Sequence, residues 1–201
     1  MNTTAIVVLA AGASRRMQGR DKLMEDVDGM PLLRRSVMRA LATGCKVLVA
    51  LPATPHARYA TLEGLDVAAI PVPDAAEGMN ASLRAGLRAL SDRARAVMVL
   101  LADMPDITTD DMKTVLQAVD PESETRIWRA VTRTGEAGHP VVFHRELLPE
   151  LLALRGDQGG GAVAKAYRDR TVEILLPDTH ARTDLDTPEA WAKWRAEQGA
   201  T

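Results

Sequence analysis

The sequence predicts a three-layer, Rossmann-like α/β domain built on a mostly parallel sheet. Three observations lead there. Ala5–Ala10 (AIVVLA), Lys46–Leu51 (KVLVAL) and Ala96–Ala102 (AVMVLLA) are short continuous apolar runs, the pattern of strands covered on both faces. Stretches of helical period, Pro31–Ala42 and Ala81–Leu90, lie between them. Strands separated by single helices build βαβ units and hence a mostly parallel sheet.

Taken in order, Ala5–Ala10 opens the sheet. Pro31–Ala42 (PLLRRSVMRALA) reads as a helix, with Pro31 suited to the first turn and Gly44 to the stop. Lys46–Leu51 is the second strand and Pro55–Leu62 a short helix. Asp66–Val72 is a third strand, placed near an edge because Pro71 cannot donate to a ladder. Ala81–Leu90 is a helix and Ala96–Ala102 the most apolar strand. Thr108–Val119 is a helix started by Thr108 or Thr109, with Asp110 and Asp111 favourably placed in its first turn. After residue 120 the rhythm is less regular: strand-like Arg126–Arg133 and Pro140–Phe143, helical Arg145–Leu154, strand-like Thr171–Leu176, then a helix from Pro188. Trp191 and Trp194 are expected to pack that helix on the body.

Composition narrows the function classes. The 201 residues, 46% of them apolar, suffice for one domain with a sizeable core. A net charge of −2 gives no global field towards nucleic acid or membrane, so neither is expected as a partner. Cys45 is the single cysteine, which excludes an internal disulfide, suits a reducing cytosol and reads as a core residue. No basic stretch precedes Ala5, so no leader is expected, and no run approaches the roughly 20 apolar residues of a membrane span. The expectation is a cytoplasmic protein.

In open parallel sheets, ligands bind beyond the carboxyl ends of the strands, so residues just after strand ends are informative. The first strand runs into Ala11-Gly12-Ala13-Ser14-Arg15-Arg16-Met17, followed by Arg20 and Lys22. Small residues let backbone N–H groups face a concavity, and the nearby cations suit an anion such as phosphate. The loop is neither GxxxxGK[ST] nor GxGxxG. Gly159–Ala164 does fit GxGxxA, but it follows a helix and reads as a loop before another helix.

Two further stations are acidic. Asp103, in Leu101-Ala102-Asp103-Met104-Pro105, lies at the mouth of the most apolar strand, where it could hold Mg2+ or cap a turn before Pro105. Asp184 and Asp186 alternate along an extended segment and so share a face. Helix capping also accounts for that segment: Asp186 or Thr187 as N-cap, Pro188 in the first turn, Glu189 completing a capping box. Ser82 and Arg84 open a helix where an anion could bind, or Asn80 could cap it. Gly138-His139-Pro140 could line a substrate pocket or form a turn. His56, His144 and His180 lack metal spacing and read as surface residues.

LAAGASRRM (9–17) with Lys22, Gly29-x-Pro31-Leu32, GMNASL (78–83), LLADMP (100–105), Gly138-His139-Pro140 and DLDTPEAW (184–191) occur in order along nearly the whole chain. This pattern resembles the MobA-like nucleotidyltransferases, most closely the molybdenum cofactor cytidylyltransferases. Gln18 separates Met17 from Gly19, and His139 stands where relatives often have asparagine.

The resemblance implies a nucleotide-diphospho-sugar transferase-like fold in one domain, residues 1–201. Residues 1–120 would form the nucleotide half, and 121–201 the acceptor half with its closing helix. It implies Mg2+-dependent transfer of CMP from CTP to the phosphate of molybdopterin with release of pyrophosphate. The alternatives are GTP on the same acceptor, or a cytidylyltransferase acting on a sugar- or alditol-phosphate.

In that family reading Leu9, Ala10, Ala11 and Gly12 hold base and ribose. Ser14, Arg16 and Lys22 engage phosphates, with Ser82 as a further nucleotide contact. Arg16, Lys22 and Asp103 are the catalytic set, and Asp103 and Asp186 bind Mg2+, with Asp184 in reserve. Gly138, His139 and Pro140 line the acceptor site, while Arg15 and Arg20 act as steering charges. A recipient molybdoenzyme or its chaperone is the expected protein partner. CTP is favoured because guanylyl-transferring relatives carry Gly-Gly where this chain has Ala11-Gly12, and a methyl there crowds a purine.

Overall fold

The computed structural model describes residues 3–155 and 159–199. Its first strand, β1 (Thr4–Leu9), is buried along its whole length, as a continuous apolar run requires. Two 3-10 turns, Arg15–Met17 and Lys22–Met24, lead into a hairpin of short strands, β2 (Asp26–Val27) and β3 (Met30–Pro31). Sequence periodicity misses this hairpin because its strands are only two residues long. Its turn is Asp28-Gly29, a favoured type I′ pair, and both residues have positive φ, 56° and 81°.

Helix α1 (Leu32–Leu41) starts directly after Pro31. Next come β4 (Lys46–Pro52), a 3-10 helix at Ala57–Leu62 within the short helix expected over Pro55–Leu62, β5 (Ala68–Val72) and α2 (Met79–Arg88). Strand β6 (Ala96–Leu101) precedes α3 (Thr109–Gln117), which Thr108 and Asp111 start with a reciprocal capping box. The second half contains β7 (Ile127–Val131), β8 (Ala137–His144), α4 (Leu148–Ala153), α5 (Gly159–Ala166), β9 (Thr171–Leu175) and α6 (Pro188–Gln198).

Seven strands form one sheet in the order β5-β4-β1-β6-β8-β7-β9. Its pairs are parallel except for β8, which runs antiparallel to both β6 and β7. Strand β5, with Pro71, takes the expected edge. The order reverses at β1, flanked by β4 and β6, so a crevice opens beyond the carboxyl ends of β1 and β6.

Two cores cover the sheet. Ile6, Val8 and Ala10 face one with Leu33, Val37, Met112 and Trp191 from α1, α3 and α6. Val7, Leu9 and Ala11 face the other with Leu83, Leu87, Leu151 and Val163 from α2, α4 and α5. Gly86 sets the approach of α2: a Cβ there would lie 2.3 Å from Val7 Cγ1.

Several local expectations change. Gly159, Gly160 and Gly161 belong to α5 rather than to a loop before it. Asn80 lies inside α2, whose cap position is Gly78. His144 is buried, with its ring nitrogen Nδ1 accepting from Glu146 N. Cys45, Trp191 and Trp194 are buried as expected, the two indoles meeting edge to face at 6.0 Å. No helix among the described residues is long and apolar enough to cross a membrane.

Candidate active site

The loop after β1 is built to stay open. Ser14 and Gln18 both take left-handed backbone, φ 50° and 53°, on either side of the Arg15–Met17 turn. Met17 is fully buried there and anchors the loop, while Gln18 and Gly19 lie on the surface. At Gly12 a Cβ would meet nothing within 4 Å, so the chain has backbone facing open space at this point.

A buried arginine that sequence reading missed holds the loop from below. Arg58, 1% exposed, donates from Nη1 to the Ala10 carbonyl (2.6 Å) and from Nε and Nη2 to both oxygens of Asp21 (2.8 and 2.7 Å). Its Nη2 also lies 3.3 Å from Ser14 Oγ. That hydroxyl donates to Asp21 Oδ1 and accepts from Lys22 N, both at 3.2 Å. The Ser14 side chain thus braces the loop at the edge of the larger cavity. Burial works against the Asp21 charge, but the hydrogen bonds and charge of Arg58 hold its carboxyl below the usual range. Only the Arg58–Asp21 juxtaposition reveals this role, because Arg58 follows no motif.

Asp103 is held as firmly. Ser36 donates to the Ala102 carbonyl (3.1 Å), while Arg35 and Arg39 donate to that of Pro105 (2.9 and 2.7 Å). From α6, Trp194 Nε1 donates to Asp106 Oδ1 (2.8 Å). The third station is tied in by Leu185 N, which donates to the Asp103 carbonyl (3.1 Å). Thr187 is the cap of α6, accepting from Ala190 N, so neither Asp186 nor Glu189 completes a capping box. The Asp184–Asp186 segment is not a strand, yet both residues face one cavity.

The three stations meet at Lys22. Its Nζ donates to carboxylate oxygens of both Asp103 and Asp186, and Arg16 donates to the other oxygen of Asp186. Burial works against the Lys22 charge, but the two carboxylates raise it above the ordinary lysine value. Asp186 is lowered despite its burial, chiefly by Lys22 and then by Asp184 and Arg16. Asp184 is pushed up by partial burial and by the carboxylates of Asp186 and Asp103.

Two cavities flank this cluster. The larger, about 1160 Å3, is floored by Leu9–Gly12 and reaches Ser14, Arg58, Gly78 and Ser82. The smaller, about 400 Å3, is lined by Arg129, Gly138, His139, Arg182 and Asp184. Arg16, Lys22, Asp103 and Asp186 line both. Pro140 is buried in β8 and lines neither. Gly138 is needed for packing, since a Cβ would fall 1.9 Å from the Ala181 carbonyl oxygen. Arg84 lines neither cavity; it is engaged by Glu77 (2.9 Å), on the wall of the larger one, and by the Leu154 carbonyl.

The donor set fits a hard divalent cation. Asp103 and Asp186 converge on the point that the Lys22 ammonium occupies. Among the described residues no group of three His, Cys, Asp or Glu could hold a metal alone. Such an ion would complete its shell with phosphate oxygens and water, as Mg2+ does in sites with one or two carboxylates.

The MobA-like NTP transferase domain model matches residues 6–172. The chain belongs to this family, and it is an enzyme of the nucleotidyltransferase kind. A molybdenum cofactor guanylyltransferase from Rhodopseudomonas palustris is 34% identical over 201 residues, covering 93% of this chain and 92% of that one. Another from Ralstonia pickettii is 30% identical over 197 residues, covering 91% of each. The crystal structure of Rv0371c from Mycobacterium tuberculosis H37Rv in complex with manganese superposes with a TM-score of 0.79. It is 25% identical, and the match covers 94% of this chain and 96% of that one.

Proposed function

We propose that this enzyme transfers a guanylyl group from GTP to the phosphate of molybdopterin, with release of pyrophosphate. The observation that carries the reading is the shared wall: two cavities meet at one cluster of two cations and two carboxylates. The larger cavity takes the nucleotide, with Leu9–Gly12 and Ser82 against base and ribose. The smaller, built largely from residues after 120, takes the acceptor. The α-phosphorus then sits at the wall between them.

On this reading Lys22 and Arg16 turn from the carboxylates to the incoming phosphates. Asp103 and Asp186, once released, would hold Mg2+, and the manganese complex of Rv0371c supports a divalent ion in this fold. Such an ion would supply charge neutralisation for phosphate oxygens at the reacting centre. An oxygen of the acceptor phosphate forms the new bond to the α-phosphorus. The bond to the bridging oxygen breaks, and pyrophosphate leaves with that electron pair. A phosphate monoester with a second pKa of about 6 is largely a dianion at neutral pH, so no protein base is needed. Arg16 and Lys22 contribute position and charge rather than covalent chemistry.

GTP is better supported than the CTP expected from the sequence. The guanylyltransferase names of the relatives favour it. Ala11 is 3% exposed and its methyl packs in the core on the α2 side, which weakens the argument that it crowds a purine. The test is kcat/KM for GTP and CTP with molybdopterin as acceptor. A higher value for GTP is expected, and a CTP preference would restore the cytidylyl reading.

A further inference from the structure

The smaller cavity holds two arginines that no motif singled out. Arg129, on β7, points its Nε to the Gly138 carbonyl at 3.3 Å. Arg182 donates Nη1 to the adjacent Ala137 carbonyl at 3.5 Å. The two guanidinium groups thus rest on consecutive carbonyls of β8 and line the same cavity. Among the described residues Arg129 makes no ion pair within 4.0 Å, and Arg182 has only Glu136 at 3.9 Å. Burial lowers Arg129 below the ordinary arginine value; Glu173 offsets part of this, and the like charge of Arg182 adds to it.

Their placement is fixed by the backbone. His139 N donates to the Ala181 carbonyl (2.8 Å), and Gly138 has no side chain to block that approach. The segment carrying Arg182 is thereby pressed against β8 opposite Arg129. Two like charges gathered at one cavity repel each other unless an anion sits between them. Guanidinium forks match the oxygens of phosphate in bidentate geometry, and two of them match a dianion.

We propose that Arg129 and Arg182 bind the phosphate monoester of the nucleotidyl acceptor in the smaller cavity and hold its oxygen towards the shared wall. The proposal rests on the two-cavity reading above and names the group that the acceptor must carry. Asp103 and Asp186 line this cavity as well, but Lys22 and Arg16 pair with them, so they leave the anion site to the two arginines.

The test titrates inorganic phosphate, followed by 31P NMR, into the full chain saturated with Mg2+ and a non-hydrolysable GTP analogue. Wild type should bind phosphate. Arg129→Met and Arg182→Met should each weaken that binding about tenfold or more, with affinity for the analogue unchanged. Arg182 is exposed, so its variant should fold even if the Arg129 variant does not. Absence of phosphate binding in wild type, or equal binding in folded variants, overturns the clamp. With molybdopterin and GTP the same variants should raise the acceptor KM by a similar factor. Transfer by wild type with an unmoved KM in the variants rejects the clamp alone. No transfer by wild type, with phosphate binding still dependent on the arginines, rejects molybdopterin and keeps the clamp.

Discussion

Lys22 and Arg20 lie two residues apart, yet their surroundings assign them different work. Lys22 is largely buried and touches two carboxylates, whereas Arg20 is half exposed and pairs with Glu25 at 3.2 Å. Lys22→Ala should remove most transferase activity. Arg20→Ala should cost little, and that cost should fade with added salt, because an exposed charge acts through a screened field. Steady-state rates at low and high ionic strength check this; equal losses for both variants at every salt concentration would contradict it. The Arg58–Asp21 pair makes a second prediction. The folded-state pKa of Asp21 is depressed, so its contribution to stability is complete above the unfolded value of about 4. It is lost as pH falls through the folded value. Asp21→Asn should lower Tm near neutrality and flatten its decline in acid, and an acid limb of unchanged steepness would contradict the pairing. At this scale the sequence revealed Lys22, Asp103 and Asp186 through strand ends and motifs. It hid Arg58, Arg129 and Arg182, since single arginines in a short helix, a strand and a loop gain meaning only from what folds beside them.

Among the elements, the strands were legible because continuous apolar runs admit few other environments. β1, β4 and β6 lie within a residue or so of their expected bounds. Elements set by tertiary contact were not. The hairpin β2–β3 is too short for any periodicity. Antiparallel β8 interrupts a parallel pattern that the first half establishes. The packing of α2 on β1 supplies a prediction at this scale. Gly86→Ala would place a methyl 2.3 Å from Val7 Cγ1, beneath the loop that leaves β1. Overpacking of this kind costs about 1–3 kcal/mol, so the variant should melt several degrees lower. An unchanged Tm would mean that α2 shifts freely. Thr187→Ala should cost about 1 kcal/mol through loss of the α6 cap, with both carboxylate stations kept.

For the whole molecule, the sheet's reversal at β1 is what brings three distant segments to one place. Loop 10–22, the turn after β6 and the segment before α6 contribute Lys22, Asp103 and Asp186 to a single cluster. The charges balance there before any substrate arrives, and two cavities open on either side. The central claim is that nucleotidyl transfer occurs at this wall. It is tested most directly by acceptor-dependent pyrophosphate release from GTP by Asp103→Asn at saturating Mg2+, with Tm measured in parallel. Lys22 keeps Asp186 as partner in this variant, so the fold should hold. Loss of a carboxylate from the ion site should remove several kcal/mol of charge stabilisation, a fall of about 100-fold or more. A folded variant that releases pyrophosphate at close to the wild-type rate would contradict the account.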